Sequence, residues 1–502
     1  MFGAGDTFDA FIAAFRIPDL IFNIIVIGAL SAAFIPLFTD KLVNGGKEKN
    51  QAAFDFASAV FNLILVFVGV FSVLYVLGAA YIVPWITPGF EGEKMELTIK
   101  LSRIMAWQPI LLSISFVFSG VLNSFKRFLA YALAPIVYNA GIIVGVVWLV
   151  PRIGVQGLGY GVVLGAFLHA AVQLPSVLVV GYRYRMVLTS QLKSLRQLWR
   201  MMLPRVFGLA AQQVNLLLVT VLGSGLLAGS ITAFHLANNI QHLPIGIFGI
   251  AFAQAAFPTL SEQVARKQSK EFRTTITKTF RYILFFVIPL SLLLFVLRAQ
   301  VVRVLFGDGQ FDWEDTILTF ETLQWLLLSV FAQATIPLLT RAFYARQDTR
   351  TPVLVSLLAI GSNVALALWL SAGMGVQGLA LAFSLSSILH LMVLLAVLHV
   401  QLRGFDDAQV LISLVRIVAA SLGAAVVVQG LKIAVARVVD MQTFWGISTQ
   451  LVVAFAGGVA SYVVLCWLFG SEEVRIIKRY LPRGKSNLVA GADTPRFSGL
   501  PE

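Results

Sequence analysis

The chain has 502 residues, 58% of them hydrophobic and 12% charged. Soluble domains carry about 25% charged residues, so a water-soluble fold is excluded for lack of surface charge. The formal net charge of +13 does not indicate nucleic acid, because the basic residues lie in short segments between apolar runs, where they meet anionic lipid headgroups.

A helix needs about 20 apolar residues to cross the hydrocarbon. On that measure the sequence predicts thirteen spans, at 7–38, 52–85, 96–124, 129–151, 157–182, 203–227, 230–261, 275–306, 317–345, 352–372, 376–400, 408–434 and 444–470. Pro18 in the first implies a broken or tilted helix. The connecting segments alternate in charge. Those after the first, third, fifth and seventh spans are basic, with Lys41, Lys47 and Lys49, then Lys126 and Arg127, then Arg183 to Arg200, then Arg266 to Arg273. Those between them are neutral or acidic, as at Glu91, Glu93 and Glu96, or Asp308, Asp312, Glu314 and Asp315. Because cytoplasmic loops retain Lys and Arg, the basic loops belong inside. So does the C-terminus, with Arg475, Lys478, Arg479, Arg483 and Lys485.

An odd number of spans then puts the N-terminus outside without a signal peptide, and leads us to expect one further N-terminal helix that this sequence lacks. The stretch 186–202 carries Leu188, Leu192, Leu195, Trp199 and Met202 at helical spacing between cations, which predicts an amphipathic helix lying on the cytoplasmic leaflet. From Ser486 onward the composition is that of a disordered tail.

Two segments repeat. Gly154-Val155-Gln156-Gly157-Leu158 with His169 recurs as Gly375-Val376-Gln377-Gly378-Leu379 with His390, each displaced by 221 residues. A basic turn (Lys126-Arg127; Arg346) and a proline (Pro135; Pro352) precede both copies. Six spans separate the copies, so they run the same way through the membrane and imply parallel lobes about an axis along its normal.

Polar groups inside spans are costly and point to function. The first span holds Asp9, Arg16, Asp19 and Asn23; Asp9 and Arg16, two turns apart, share a face. In the seventh, His235, Asn238, Asn239 and His242 follow the i, i+3, i+4, i+7 pattern, a polar stripe that must face protein or water. The sixth adds Gln212, Gln213 and Asn215. Interhelical hydrogen bonds are the plain alternative for these amides. His169 and His390, one per lobe, read as packing residues. Cys466, the single cysteine, excludes an intrachain disulfide and a multi-cysteine metal cluster. There is no HExxH, P-loop or paired-cysteine site, so the sequence predicts no catalytic residue, metal or cofactor.

The runs Gly3-Ala4-Gly5, Asp9-Ala10-Phe11, Ala14-Phe15-Arg16-Ile17-Pro18-Asp19-Leu20 and Gly28 to Pro36 resemble the MurJ/MviN lipid II flippases. So do Arg103-Ile104-Met105 with Gln108-Pro109, Gly120 to Asn123, Pro244 to Gly249, Pro258 to Ser261, and Phe343 to Thr349 before Thr351-Pro352. The resemblance implies an all-α polytopic membrane protein of the multidrug/oligosaccharidyl-lipid/polysaccharide exporter superfamily. Two pseudo-symmetric six-helix lobes would enclose a central cavity, with two C-terminal helices forming a groove for the lipid tail. It also implies that the missing helix carries cavity arginines. Phe22 and Asn239 stand where the family has arginines, and Ile27 where it has an acidic residue.

The expected organisation is an N-lobe at 1–185, an interfacial linker at 186–202, a C-lobe at 203–403, two extra helices at 404–472 and a cytoplasmic tail at 473–502. The expected function is a non-enzymatic flippase that moves lipid II from the inner to the outer leaflet of the bacterial cytoplasmic membrane by alternating access. Arg16, Asp9, Asn23, Gln212, His235, Asn238, Asn239 and His242 would bind the undecaprenyl-pyrophosphate-linked saccharide. Membrane lipids and peptidoglycan-synthesis enzymes are the expected partners. The alternatives are a flippase for another polyprenyl-linked oligosaccharide, an ion-coupled exporter of cationic drugs, and a non-transporting scaffold for wall synthesis.

Overall fold

The protein is described from a computed structural model covering residues 2–44, 49–187, 192–402, 404 and 407–474, without the side chains of 25–33, 49, 192, 193, 199–212 and 407. Every regular element among the described residues is helical. The first half runs α1 (Asp6–Ile21), α2 (Gly28–Asn44), α3 (Lys49–Ile86), α4 (Gly92–Met105), α5 (Gln108–Ser124), α6 (Phe128–Val144), α7 (Val150–Ile153), α8 (Gln156–Ala171) and α9 (Leu174–Val179). The second runs α10 (Leu192–Gly223), α11 (Ser230–Pro244), α12 (Ala251–Ala265), α13 (Ser269–Phe306), α14 (Trp313–Leu327), α15 (Val330–Ala345) and α16 (Arg350–Leu402), followed by α17 (Asp407–Ala436) and α18 (Phe444–Leu468). Short π-helical turns at Phe22–Ile27, Gly145–Leu149 and Ile245–Ile250 join neighbouring helices without breaking the rod.

Nine helices among the described residues are long and apolar enough to cross a membrane, ten if the bent pair α14 and α15 counts as one span. The expected thirteen are therefore not recovered as separate helices. One reason is local: α16 runs 53 residues through Gly375, whose φ of 57° and ψ of −135° are non-helical, so two predicted spans meet there.

The duplication is visible in the backbone. Gly154 (φ 71°) and Gly375 (φ 57°) both take a positive φ that L side chains avoid. A Cβ on Gly157 would run into the backbone at Leu149 and Val150; one on Gly378 would run into Leu370 and Ser371, the same positions 221 residues on. The two basic turns match as well. Lys126 and Gln347 are both left-handed, and the residue after each donates its N–H across the helix end, Arg127 to Leu122 O at 2.9 Å and Asp348 to Phe343 O at 3.0 Å. Asp348 then caps α16, accepting from the Thr351 N–H at 3.0 Å and the Arg350 N–H at 3.1 Å. The Thr351 backbone and hydroxyl hydrogen bonds hold its carboxyl below the ordinary 3.8.

Each half has its own apolar core. Phe34, Phe38, Phe54, Phe56 and Tyr182 centre the first, and Phe280, Phe285, Leu339, Phe343 and Leu391 belong to the second. From Leu192 on, the stretch at 186–202 expected to lie on the leaflet forms the first turns of α10. Its buried Leu195 and Leu198 join the first core, because the aromatic cluster there offers them protein in place of lipid. The other leucine position, Leu188, and the side chains of Trp199 and Met202 lie outside the described residues, as do Arg475 to Glu502.

The hairpin of α17 and α18 is fixed to α13 along its length. The Tyr462 hydroxyl donates to Phe285 O at 2.7 Å. Near the start of α13, buried Arg281 donates to Glu473 at 2.8 Å, Glu472 at 3.0 Å and Gln409 at 3.3 Å.

Candidate functional site

Helix α1 lies in the seam between the halves. Small side chains at Ala10, Ala13 and Ala14 are fully buried and let it approach its neighbours closely. At its first turn Asp9 is 1% exposed. Its carboxylate accepts the Gly229 N–H at 2.8 Å, the Thr232 N–H at 2.9 Å and the Thr232 hydroxyl at 2.7 Å. Those donors begin α11, whose free N–H groups and dipole favour an anion. Asp9 is thus a helix cap supplied from the opposite half.

Lys94 of α4 completes this end, bonding Asp9 at 3.3 Å and Asp6 at 2.6 Å with its ammonium 4.0 Å from the Phe90 ring centre. The Ala4 N–H donates to Asp315 at 2.8 Å and the Gly89 N–H to the Ser224 hydroxyl at 3.1 Å. A Cβ on Gly229, already at φ 85°, would run into the Ala4 carbonyl. Backbone meets backbone here, so this end is shut.

Arg16 sits seven residues further, about 10 Å along the axis. Its Nε donates to Thr220 of α10 at 2.8 Å, a link across the seam. Its charge couples to Asp19 one turn on and to His235 of α11. Asn23, one turn beyond Asp19, and Tyr138 of α6 both lie within electrostatic reach of the Asp19 carboxylate. Gln108 donates to the Tyr138 hydroxyl at 3.3 Å. Arg16, Asp19, Asn23, Tyr138, Thr220 and His235 therefore form one polar patch on the seam.

The α11 stripe divides. His235, Asn239 and His242 stay on one face, half-buried or exposed. Asn238 turns inward at 9% exposure and accepts from Gln241 at 2.9 Å; Gln241 accepts in turn from Gln333 of α15 at 3.1 Å. Gln333 reaches Ser329 at 2.9 Å, and Ser329 pairs with Ser384 at 2.9 Å. Asn215 likewise accepts from Asn363 at 3.0 Å. Gln241 and Asn215 bond across helices, and Asn238 is held to Gln241 within α11. The Gln212 side chain lies outside the described residues. His169 is held by Ser115 at 2.6 Å in a buried network with Gln173 and Ser119, while the His390 Nε2 has no hydrogen-bond partner among the described residues.

Lys94, Thr220, Thr232 and Tyr138 were not among the residues singled out from sequence. Only Ser230 and Thr232 after Gly229 carried a signal, as hydroxyls at a helix start.

The sequence profile of the family described as Lipid II flippase MurJ matches residues 1–448. The chain belongs to the MurJ family. Among MurJ relatives, a probable lipid II flippase of Vibrio cholerae serotype O1 is 30% identical over 411 residues, which cover 80% of this chain and 78% of that protein. Another, of Bdellovibrio bacteriovorus, is 27% identical over 481 residues, covering 94% and 90%. A solved lipid II flippase MurJ in an inward closed conformation aligns with a TM-score of 0.75 at 21% identity, over 95% of this chain and 94% of that one. An inward-facing multidrug MATE-family transporter of the MOP superfamily aligns at 0.69 and 14% identity, over 80% and 92%. At those identities the likeness to the solved structures is one of fold. The MurJ-type fold places α1 on the seam of a multi-span helical membrane protein.

Proposed function

We propose that the chain moves lipid II, the polyprenyl-pyrophosphate-linked peptidoglycan precursor, from the inner to the outer leaflet of the bacterial cytoplasmic membrane. The observation that carries this is the family match along nearly the whole chain to relatives named lipid II flippases. Transport needs no bond made or broken. It needs a place where a pyrophosphate can leave water while its polyprenyl chain stays in lipid.

Arg16 supplies the charge for that place. Its guanidinium donates through one nitrogen to Thr220, leaving further N–H groups for phosphate oxygens, and charge-assisted bonds of this kind are about twice as strong as neutral ones. His235, Asn239 and His242 extend the donor surface along α11. Asp9 works differently: it latches the two halves at one end. The segments at that end carry Glu91, Glu93, Asp308 and Asp312, whereas the turns at the opposite end carry Lys126, Arg127, Arg266 and Arg346, so the positive-inside rule makes the Asp9 end the outer one. A closed outer latch with Arg16 beneath it is the arrangement for loading from the inner leaflet. Opening the latch releases the headgroup outward.

The test is replacement of the native flippase in depleted cells, with lipid II in the outer leaflet measured by an impermeant labelling reagent. Restored growth and labelling are expected. Failure by a well-inserted protein refutes the assignment, and labelling of a different polyprenyl-linked glycan redirects it.

A further inference from the structure

Asp19 lies ten residues beyond Asp9 on α1, about 15 Å along the axis from the shut outer end. That is about half the hydrocarbon thickness. A half-buried carboxylate at that depth is costly, and it marks a site whose partner has to be named. The obvious partner is turned elsewhere. Arg16 is its neighbour one turn back, the two Cβ atoms about 5–6 Å apart on one helix face. Yet the Arg16 Nε points across the seam to Thr220 at 2.8 Å. No ion pair within 4.0 Å joins Asp19 to a cation among the described residues.

The other groups near it are neutral and carry oxygen. Asn23 follows one turn on, in the π-helical turn that continues α1. Helix α5 packs against both α1 and α6 and begins with Gln108. Gln108 is 2% exposed, donates to the Tyr138 hydroxyl at 3.3 Å, and keeps a buried Oε1 with no hydrogen-bond partner among the described residues. Tyr138 is fixed in its turn. Its ring meets His169 edge-on at 6.2 Å, and a Cβ on Gly165 would run into its carbonyl. Carboxylate, amide and phenol oxygens suit a hard cation. Among the described residues no three His, Cys, Asp or Glu side chains are grouped to hold a metal, so a cation here needs ligands from outside the protein.

The transported headgroup supplies them. A pyrophosphate esterified at both ends carries two negative charges, whereas Arg16 offers one positive charge and Asp19, three residues away, opposes it. Proteins hold Mg2+ through one or two carboxylates plus the phosphates of a substrate, and Asp19 beside Arg16 is the protein's half of such a site. We propose that Asp19 binds Mg2+ carried on the substrate's pyrophosphate, the metal bridging its carboxylate and the phosphate oxygens beside Arg16. The bridge replaces one repulsion between anions with two attractions to the metal. Asn23, Gln108 and Tyr138 hydrogen-bond the waters that the metal keeps. Asp19 has this role only if Arg16 receives a pyrophosphate, as proposed above.

The full chain, in phosphatidylcholine nanodiscs doped with undecaprenyl pyrophosphate, is assayed by native mass spectrometry for retained lipid, in Mg2+ and in EDTA. Wild type should bind the lipid about tenfold more tightly in Mg2+, the equivalent of about 1.4 kcal/mol. Asp19→Asn should bind it equally in both, because the carboxylate that required the metal is gone. Mn2+ in place of Mg2+ should show phosphorus hyperfine coupling by electron resonance in wild type, and only with the lipid present. The same Mg2+ dependence in wild type and Asp19→Asn overturns the proposal, since the metal then belongs to the lipid alone. Binding by wild type that ignores Mg2+ overturns it too, and both results leave the reading of Arg16 intact. No binding by wild type in either condition overturns that reading as well. If Asp19→Asn does not insert, Asp19→Ser takes its place, and the Mn2+ signal needs no variant.

Discussion

Replacing Asp9 by asparagine tests the latch directly. The amide keeps one oxygen, enough for the two Thr232 donors, but puts an NH2 where the second oxygen accepted the Gly229 N–H and met Lys94. One hydrogen bond to a charged group, worth about 1.5–3 kcal/mol, is lost and a donor now faces donors. The closed state should therefore weaken by about 2–4 kcal/mol, or about 30- to 1,000-fold in the equilibrium between states. Spin labels at exposed Glu93 on α4 and Glu314 on α14, in a Cys466→Ala background, report the gap across this end by pulsed electron resonance. Wild type should give one short distance, and Asp9→Asn should add a longer population that becomes the major one. An unchanged distribution in a variant of normal helicity would refute the latch, and Asp9 would then be a packing residue.

Other outcomes follow from the same geometry. Arg16→Ala should abolish flipping with normal membrane insertion, whereas Arg16→Lys keeps a charge at the site and should retain part of the activity; wild-type transport by the alanine variant removes Arg16 from the site. Gly378→Ala and Gly157→Ala should each cost about 1–3 kcal/mol, because the new methyl meets backbone that cannot move aside; thermal melts of the two variants should fall together, and an unchanged melt in either denies the close approach. Glu473→Gln should destabilise the α17–α18 attachment by about 3 kcal/mol, toward the low end for a broken buried pair since Glu472 still holds Arg281. Burial pushes the Glu473 carboxyl up, but hydrogen bonds from Ser471, the backbone and Arg281 outweigh burial and hold it below the ordinary 4.5. Its contribution is therefore complete above pH 4.5 and is lost as the pH falls through the lower folded value. Proteolysis of the hairpin on acidification should rise in wild type and be flat in Glu473→Gln.

The amino-acid sequence by itself determined the helical class, the repeat and the family, because each is written in local signals: runs of apolar residues, a five-residue motif restated 221 positions on, and the motifs around Arg16 and Tyr344. It also singled out Arg16 as the deeper charge of the first span. What it could not decide was partnership. Asp9 and Arg16 share a face of α1, yet Asp9 caps a helix 220 residues away and Arg16 bonds Thr220. Asn238 and Asn239 are adjacent and equally polar, but only the fold sends one to Gln241 and leaves the other exposed. The leucines of 186–202 have the spacing of an amphipathic helix, but that spacing does not show that Leu195 and Leu198 pack against an aromatic cluster of the first half. Periodicity fixes which face a side chain takes on its own helix. Which neighbour that face meets depends on packing between distant helices, and only the tertiary structure supplies it.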